Sequence, residues 1–232
     1  MTALQTIGIL GGMGPEATIL LLSKLVEAVS AQDDSGHIPL LIDMNSQVPS
    51  RIAHLIEGTG KDPGPTLAAM ARRLEVAGAT ALAMPCNTAH HYAGAITGVV
   101  NLPLLNMVDM AADLPVDTLG PGGSVGMLAS PALQRAGLFE VAMEARGVSV
   151  IWPEQDDTML AAIRAIKSHG PCTAARDAML AASIEVAAAG ADLQLIACSE
   201  FSIIADSVAP GTDVVDTIDL LTRAIVKFSQ AS

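Results

Sequence analysis

The chain is predicted to be α/β, with two similar lobes that each carry a parallel sheet, and three observations predict it. Short runs rich in β-branched and aliphatic residues alternate with longer Ala/Leu-rich stretches, the pattern of parallel strands covered by helices. The chain also repeats itself. Ala77-Gly78-Ala79 stands eight residues before Cys86, counted from the glycine, and Ala189-Gly190-Ala191 stands eight before Cys198, an offset of 112 in both cases. Between the two copies lies a Pro/Gly-rich segment, residues 119–124, where one lobe is expected to cross to the other.

Taken in order, residues 6–10, 40–44, 80–85, 125–129, 148–153 and 193–197 read as strands, each a short apolar run bounded by turn formers. The opening strands echo one another, with Ile7-Gly8-Ile9-Leu10 beside Val125-Gly126-Met127-Leu128. Residues 15–30, 65–76, 130–146, 158–168 and 173–189 read as helices from their apolar spacing and their Pro, Ser or Thr starts. A last helix, residues 215–229, is expected to return to the first lobe. The predicted division is therefore residues 1–118 with 213–232, and residues 119–212.

Composition removes several classes of function. Twelve Lys and Arg stand against 24 Asp and Glu, a formal net charge of −12, and the cations are scattered. Affinity for nucleic acid comes from clustered basic surface, so neither nucleic acid nor an anionic membrane surface is an expected partner. The mean hydropathy of +0.48 is high, and residues 76–108 hold no Asp, Glu, Lys or Arg. That stretch nevertheless contains Pro85, Asn87, His90, His91, Asn101, Pro103 and Asn106, which hydrocarbon would not accommodate. It reads as interior or active-site chain. No cationic segment precedes the first apolar run, so no secretory leader is read and a cytoplasmic location is predicted. Three distant cysteines form no disulfide framework, and no zinc spacing occurs. His90 and His91, being adjacent, would point about 100° apart on a helix and could not chelate one ion.

The chemistry is expected where the repeat ends. Each copy places a cysteine just past an apolar strand, in Met84-Pro85-Cys86-Asn87-Thr88 and in Ala197-Cys198-Ser199-Glu200. Ligands of open parallel sheets bind beyond the carboxyl ends of the strands. A helix beginning after each cysteine would favour its thiolate. Were the lobes related by a pseudo-twofold, the two thiols would face one another across a cleft. A lone cysteine is usually a small core hydrophobe, but two in register across a duplication argue for a task. Cys172 has no counterpart and reads as structural. Gly12 to Ala17 fits the dinucleotide pattern G-x-G-x-x-A, yet Asp33 and Asp34 lie in a loop and Asp43 stands farther along than the ~20 residues a ribose-binding acid needs. The loop reads instead as a cradle in which the N–H groups around Met13 and Gly14 receive the carboxylate of a small acid. From the residues alone, Arg51, placed in a loop, and Lys167, closing a helix, are solvated charges.

Together, Ile7 to Pro15, Asn45 with Val48-Pro49-Ser50-Arg51, Met84-Pro85-Cys86-Asn87-Thr88-Ala89-His90 and Cys198-Ser199-Glu200 resemble the aspartate racemase family, the pyridoxal-phosphate-independent branch of the aspartate/glutamate/hydantoin racemases. The resemblance runs from Thr6 to about Asp219. It implies two Rossmann-like lobes, a homodimer, no cofactor, no metal, and an amino-acid substrate held in the cleft between the lobes. Cys86 and Cys198 would be the acid/base pair on opposite faces of Cα. Asn87, Thr88 and Ala89 would hold the α-carboxylate, as would Ser199 and Glu200 from the other side. Arg51 and Lys167 would receive the distal carboxylate of aspartate or glutamate. The sequence departs from the family in three places: Pro-Asp-Arg is Pro49-Ser50-Arg51, Cys-Thr-Glu is Cys198-Ser199-Glu200, and a Thr-rich turn is Ser130-Pro131, which places Ser130 among the substrate contacts. Rival readings are maleate cis-trans isomerisation, whose branch also keeps two cysteines, and a catalytically silent binding protein.

Overall fold

The computed structural model describes residues 4–120 and 122–231. Residues 1–3, part of the segment read as leader-free, and Pro121, within the expected crossing, lie outside them. Four strands form the first sheet: β1 (Ile7–Gly11), β2 (Leu40–Met44), β3 (Ala81–Ala83) and β4 (Leu104–Leu105), in the order β2-β1-β3-β4. The second sheet holds β5 (Ser124–Leu128), β6 (Ser149–Ile151), β7 (Leu193–Ile196) and β8 (Val214–Asp216), in the order β6-β5-β7-β8. All pairings are parallel, and the second order is the first with each strand number raised by four. Register repeats as well. Gly8 pairs with Leu82 and Leu82 with Leu104, while Gly126 pairs with Gln194 and Gln194 with Val214.

The helices are α1 (Pro15–Ala28), α2 (Arg51–Leu55), α3 (Gly64–Val76), α4 (Ala93–Thr97), α5 (Met107–Leu119), α6 (Pro131–Ala136), α7 (Leu138–Glu144), α8 (Asp156–His169), α9 (Thr173–Ala188), α10 (Ser199–Ser202) and α11 (Thr217–Gln230). Helix α1 starts on Pro15, whose missing N–H costs nothing in a first turn, and buries Ala17, Thr18, Leu21 and Leu25. The middle strands are buried on both faces and therefore read as continuous apolar runs.

Several expectations are corrected. Residues 130–146 are two helices, because Gly137 takes φ +65° between α6 and α7. Helix α5 was not expected, since Pro115 lies inside it. Strands β4 and β8 are too short to leave a pattern of their own. Arg51 is not in a loop but opens α2, whose N-cap is Ser50, the side chain accepting the Ala53 N–H at 3.2 Å.

The chain divides into two compact units. One is residues 1–107 with 218–232, the other residues 108–217; the sequence reading set the change at 118/119. The tail returns through Ile218, Leu221 and Ile225, all fully buried, and through the Gln5 N–H bond to Ser229 O at 2.9 Å. Among the described residues, no helix is long and apolar enough to cross a membrane.

A close approach to a strand glycine recurs in both units. A Cβ on Gly8 would stand 2.9 Å from Ala79 Cβ and 3.1 Å from Leu74 Cβ; one on Gly126 would stand 3.0 Å from Ala191 Cβ and 2.6 Å from Val186 Cγ2. Residues 74 and 79 become 186 and 191 when the offset of 112 is added, so the duplication extends to packing. Gly126→Ala overpacks the seam between α9 and β5 and is expected to cost roughly 1–3 kcal/mol, read as a lower denaturant midpoint with unchanged slope. A neutral result would mean that α9 can move away.

Candidate active site

In the first unit, β3 runs out at Ala83 and the chain turns tightly, with the Cys86 N–H donating to Met84 O at 2.8 Å. Cys86 is buried. His90, four residues on, ties it to the end of β4: Nε2 accepts the Met107 N–H at 3.2 Å, so the proton sits on Nδ1 and is donated to Cys86 O at 2.9 Å. The acceptor role at Nε2 requires the neutral ring.

The second unit does the same with other chemistry. Cys198 follows β7 and caps α10, and Ser202, again four residues on, donates to Asp216 Oδ1 at the end of β8 (2.8 Å) and lies 3.5 Å from Cys198 O. Adding 112 to 90 gives 202, so the repeat contained the signal for Ser202. Nothing in the sequence pattern marked Asp216.

The helices expected after the cysteines are not regular. Residues 88–92 form a 3-10 helix and α10 has four residues, too little aligned backbone for a helix dipole to lower a thiol. For Cys198 the direction is the reverse. Burial pushes its thiol well above the ordinary range, and the neighbouring Glu200 carboxylate adds to this by its charge and by accepting the S–H, with Lys167 opposing. Sγ lies 3.2 Å from Glu200 Oε2, and Lys167 Nζ is bonded to Glu200 Oε1. Lys167, from the last turn of α8, is thus joined to Glu200 and Cys198 in one chain of contacts. The Glu200 side chain, expected to hold a substrate carboxylate, is an acceptor engaged by a thiol and an ammonium.

The glycine loop and Arg51 also come together. Arg51 donates to Met13 O at 3.3 Å and Pro49 O at 3.1 Å, bracing the loop against the start of α2. Gly12 takes φ +90°, and its N–H goes to Thr18 Oγ1 at 3.0 Å. Asp43, the remote candidate for a ribose, is paired with Arg73 at 2.7 Å. Asn87 and Ala89 are buried beside Cys86 and Thr88 is half-buried; the Ala89 N–H donates to Cys86 O at 3.1 Å. Ser199 is buried, and Ser130 caps α6 by accepting the Ala132 N–H at 3.2 Å. Cys172 sits at the N-cap of α9, partly buried against the second unit's core. Among the described residues, no three His, Cys, Asp or Glu side chains could hold a metal ion.

Sequence reading passed over His54 and Tyr92. The Tyr92 hydroxyl lies 2.6 Å from His54 Nδ1, and burial, helped by the Asp62 charge, pushes the phenol to about 12. The chain has a single tyrosine, so absorbance titration of phenolate reports Tyr92 alone. The expected midpoint is near 12 in the folded protein and near 10 once unfolded. Because the unfolded chain gives up this proton first, the contribution to stability is intact below pH 10 and lost as pH rises toward 12. A native midpoint near 10 would contradict the buried assignment.

The family model described as Asp/Glu/Hydantoin racemase matches residues 10–225. Broad-specificity amino-acid racemase RacX of Bacillus subtilis is 23% identical over 238 residues, covering 95% of this chain and 96% of RacX. Among solved structures, Picrophilus torridus aspartate racemase superposes with a TM-score of 0.82 at 25% identity, covering 97% of this chain and 94% of its own. Glutamate racemase from Francisella tularensis, in complex with D-glutamate, shares the fold at a TM-score of 0.66 and 13% identity, over 96% and 80% of the two chains.

Proposed function

Since the chain belongs to the Asp/Glu/hydantoin racemase family and is an isomerase of that type, we propose that it interconverts the L and D forms of an acidic amino acid, aspartate first and glutamate second, with Cys86 and Cys198 as the proton-transferring pair. The observation that carries this reading is the buried thiol placed at the same point of each sheet, just past β3 and just past β7. RacX, a broad-specificity amino-acid racemase by name, supports an amino-acid substrate, and the Arg51 and Lys167 cations favour one with a second carboxylate.

Racemisation must break a very weakly acidic Cα–H bond and form another on the opposite face. In the proposed step the Cys86 thiolate takes the Cα proton, the electron pair passes onto Cα and the α-carboxylate, and the Cys198 S–H gives its proton to the other face. Cys86 is left as thiol and Cys198 as thiolate, ready for the reverse direction. Burial and Glu200 favour the protonated start for Cys198. Donors around the α-carboxylate, with Asn87, Thr88 and Ser199 as candidates, stabilise the enolate-like charge that develops. No cofactor enters the proposal. The reading extends to a cytoplasmic homodimer in which exposed Ile19 and Val26 of α1 and Ile42 and Met44 of the edge strand β2 are candidates for cover.

The test is incubation with L-aspartate, and separately L-glutamate, in D₂O without added cofactor. Cα proton loss is followed by NMR and the enantiomer ratio by chiral chromatography. Exchange with appearance of the D-form is the expected result. Maleate turnover with both amino acids inert would overturn the reading in favour of the isomerase branch.

A further inference from the structure

The duplicated halves differ at one position that bears on the proton. Subtracting the offset of 112 from 200 gives 88, so Thr88 stands in the first unit where Glu200 stands in the second. Glu200 is buried, and its two oxygens have separate partners: Oε2 accepts the Cys198 S–H at 3.2 Å, and Oε1 accepts Lys167 Nζ. The first unit thus has a hydroxyl at the position where the second has an acid. This difference gives the pair of thiols a direction.

We propose that Glu200, anchored by Lys167, is a positioning residue that holds Cys198 as the protonated partner, so that the resting protein is loaded for one enantiomer, the one whose Cα hydrogen faces Cys86. The enantiomeric consequence rests on the racemase reading above; the control of the thiol does not. A thiolate at Cys198 would stand within hydrogen-bond distance of a buried carboxylate, two like charges with little water between them. Keeping the proton on sulfur turns that repulsion into a hydrogen bond. Lys167 occupies Oε1 and leaves Oε2 to accept the S–H. Lys167 also attracts the thiolate, so its effect on Cys198 opposes that of Glu200. Asp216 reaches the same turn through Ser202, whose hydroxyl donates to Oδ1.

The roles are separable by labelling. Alkylation of the full chain with iodoacetamide across pH, with Cys198 followed by peptide mass spectrometry, reports its thiolate fraction without turnover. In Glu200→Gln the repelling charge is gone and Lys167 remains, so the midpoint should fall by at least about one pH unit and labelling at pH 7 should rise roughly tenfold. In Lys167→Met the attraction is lost, and Cys198 labelling at pH 7 should slow. Cys86 labelling serves as the internal reference and should not change its midpoint. Unchanged or slower Cys198 labelling in Glu200→Gln, or faster labelling in Lys167→Met, overturns the proposal. Should Glu200→Gln not fold, the lysine variant decides alone, and unchanged labelling there is also an overturning result. Absence of racemisation with the labelling contrast intact would remove the racemase reading and leave the thiol control standing. Racemisation without the contrast would remove only the thiol control.

Discussion

Replacing either Cys86 or Cys198 by alanine is expected to lower racemisation by roughly 10³-fold or more, within the range that a positioned acid or base supplies. The two variants should be equally inactive in net conversion, because each turnover needs one group to remove a proton and the other to deliver one. They should differ in exchange. A chain that keeps one thiol can still take and return a proton on a single face, so deuterium enters one enantiomer without inversion. Loss of either side chain leaves a small void in its unit's core, since Cys86 belongs to the cluster around Leu82, Met84 and Tyr92, and Cys198 to that around Ile196, Phe201 and Ile204. Thermal unfolding of the variants should therefore stay near that of the parent. Chiral chromatography over long incubations provides the check, and net racemisation retained by either variant would sink the two-thiol mechanism.

The second large effect is expected at Gly12. Its φ of +90° is unfavourable for any residue with a Cβ, and the added atom would stand 2.5 Å from the backbone carbon of Asn45 and 2.6 Å from its oxygen. Backbone cannot rotate aside as a side chain can. The strain and the overlap together give an expected cost of roughly 2–4 kcal/mol for Gly12→Ala. Gly58→Ala makes the comparison, because Gly58 also has positive φ but nothing within 4 Å of its Cβ position. It should lose only about 1–2 kcal/mol, the conformational part alone. Chemical denaturation measures both. Equal losses would mean that the contact with Asn45 relaxes freely and that the loop is less tightly set than its geometry indicates. Where Gly12→Ala folds, the Met13 carbonyl should shift away from Arg51, so KM for an acidic substrate should rise more than kcat falls.

The elements that were legible in the sequence are those whose pattern is local. All six expected strands are present within two residues at most of their ends, because buried parallel strands announce themselves as apolar runs between turn formers. The pair of cysteines was legible because the chain states it twice. What escaped depends on partners distant in sequence. Strands β4 and β8, of two and three residues, exist as strands only through pairing with β3 and β7. Helix α5 was hidden by Pro115. At the site, Lys167 and Glu200 are 33 positions apart, and their pairing follows from where α8 ends against α10, which no spacing rule contains. The glycine-loop pattern was legible as a turn but ambiguous as a site, since the same motif serves nucleotides and small acids. Asp43, the remote candidate for a ribose, is paired with Arg73.

The return of α11 to the first unit has a consequence for synthesis on the ribosome. Residues 108–217 form an uninterrupted unit, so the second half of the protein can close its core without the final helix. The first unit begins earlier but finishes later. It lacks Ile218, Leu221 and Ile225, all fully buried, until the final helix has left the exit tunnel. At elongation rates of roughly 5–20 residues per second, the first unit waits several seconds without these core residues. The part made first is thus the part most exposed to chaperones and to misassociation. Shortening the chain within α11 should yield a protein whose second unit is protease-resistant and whose first is not.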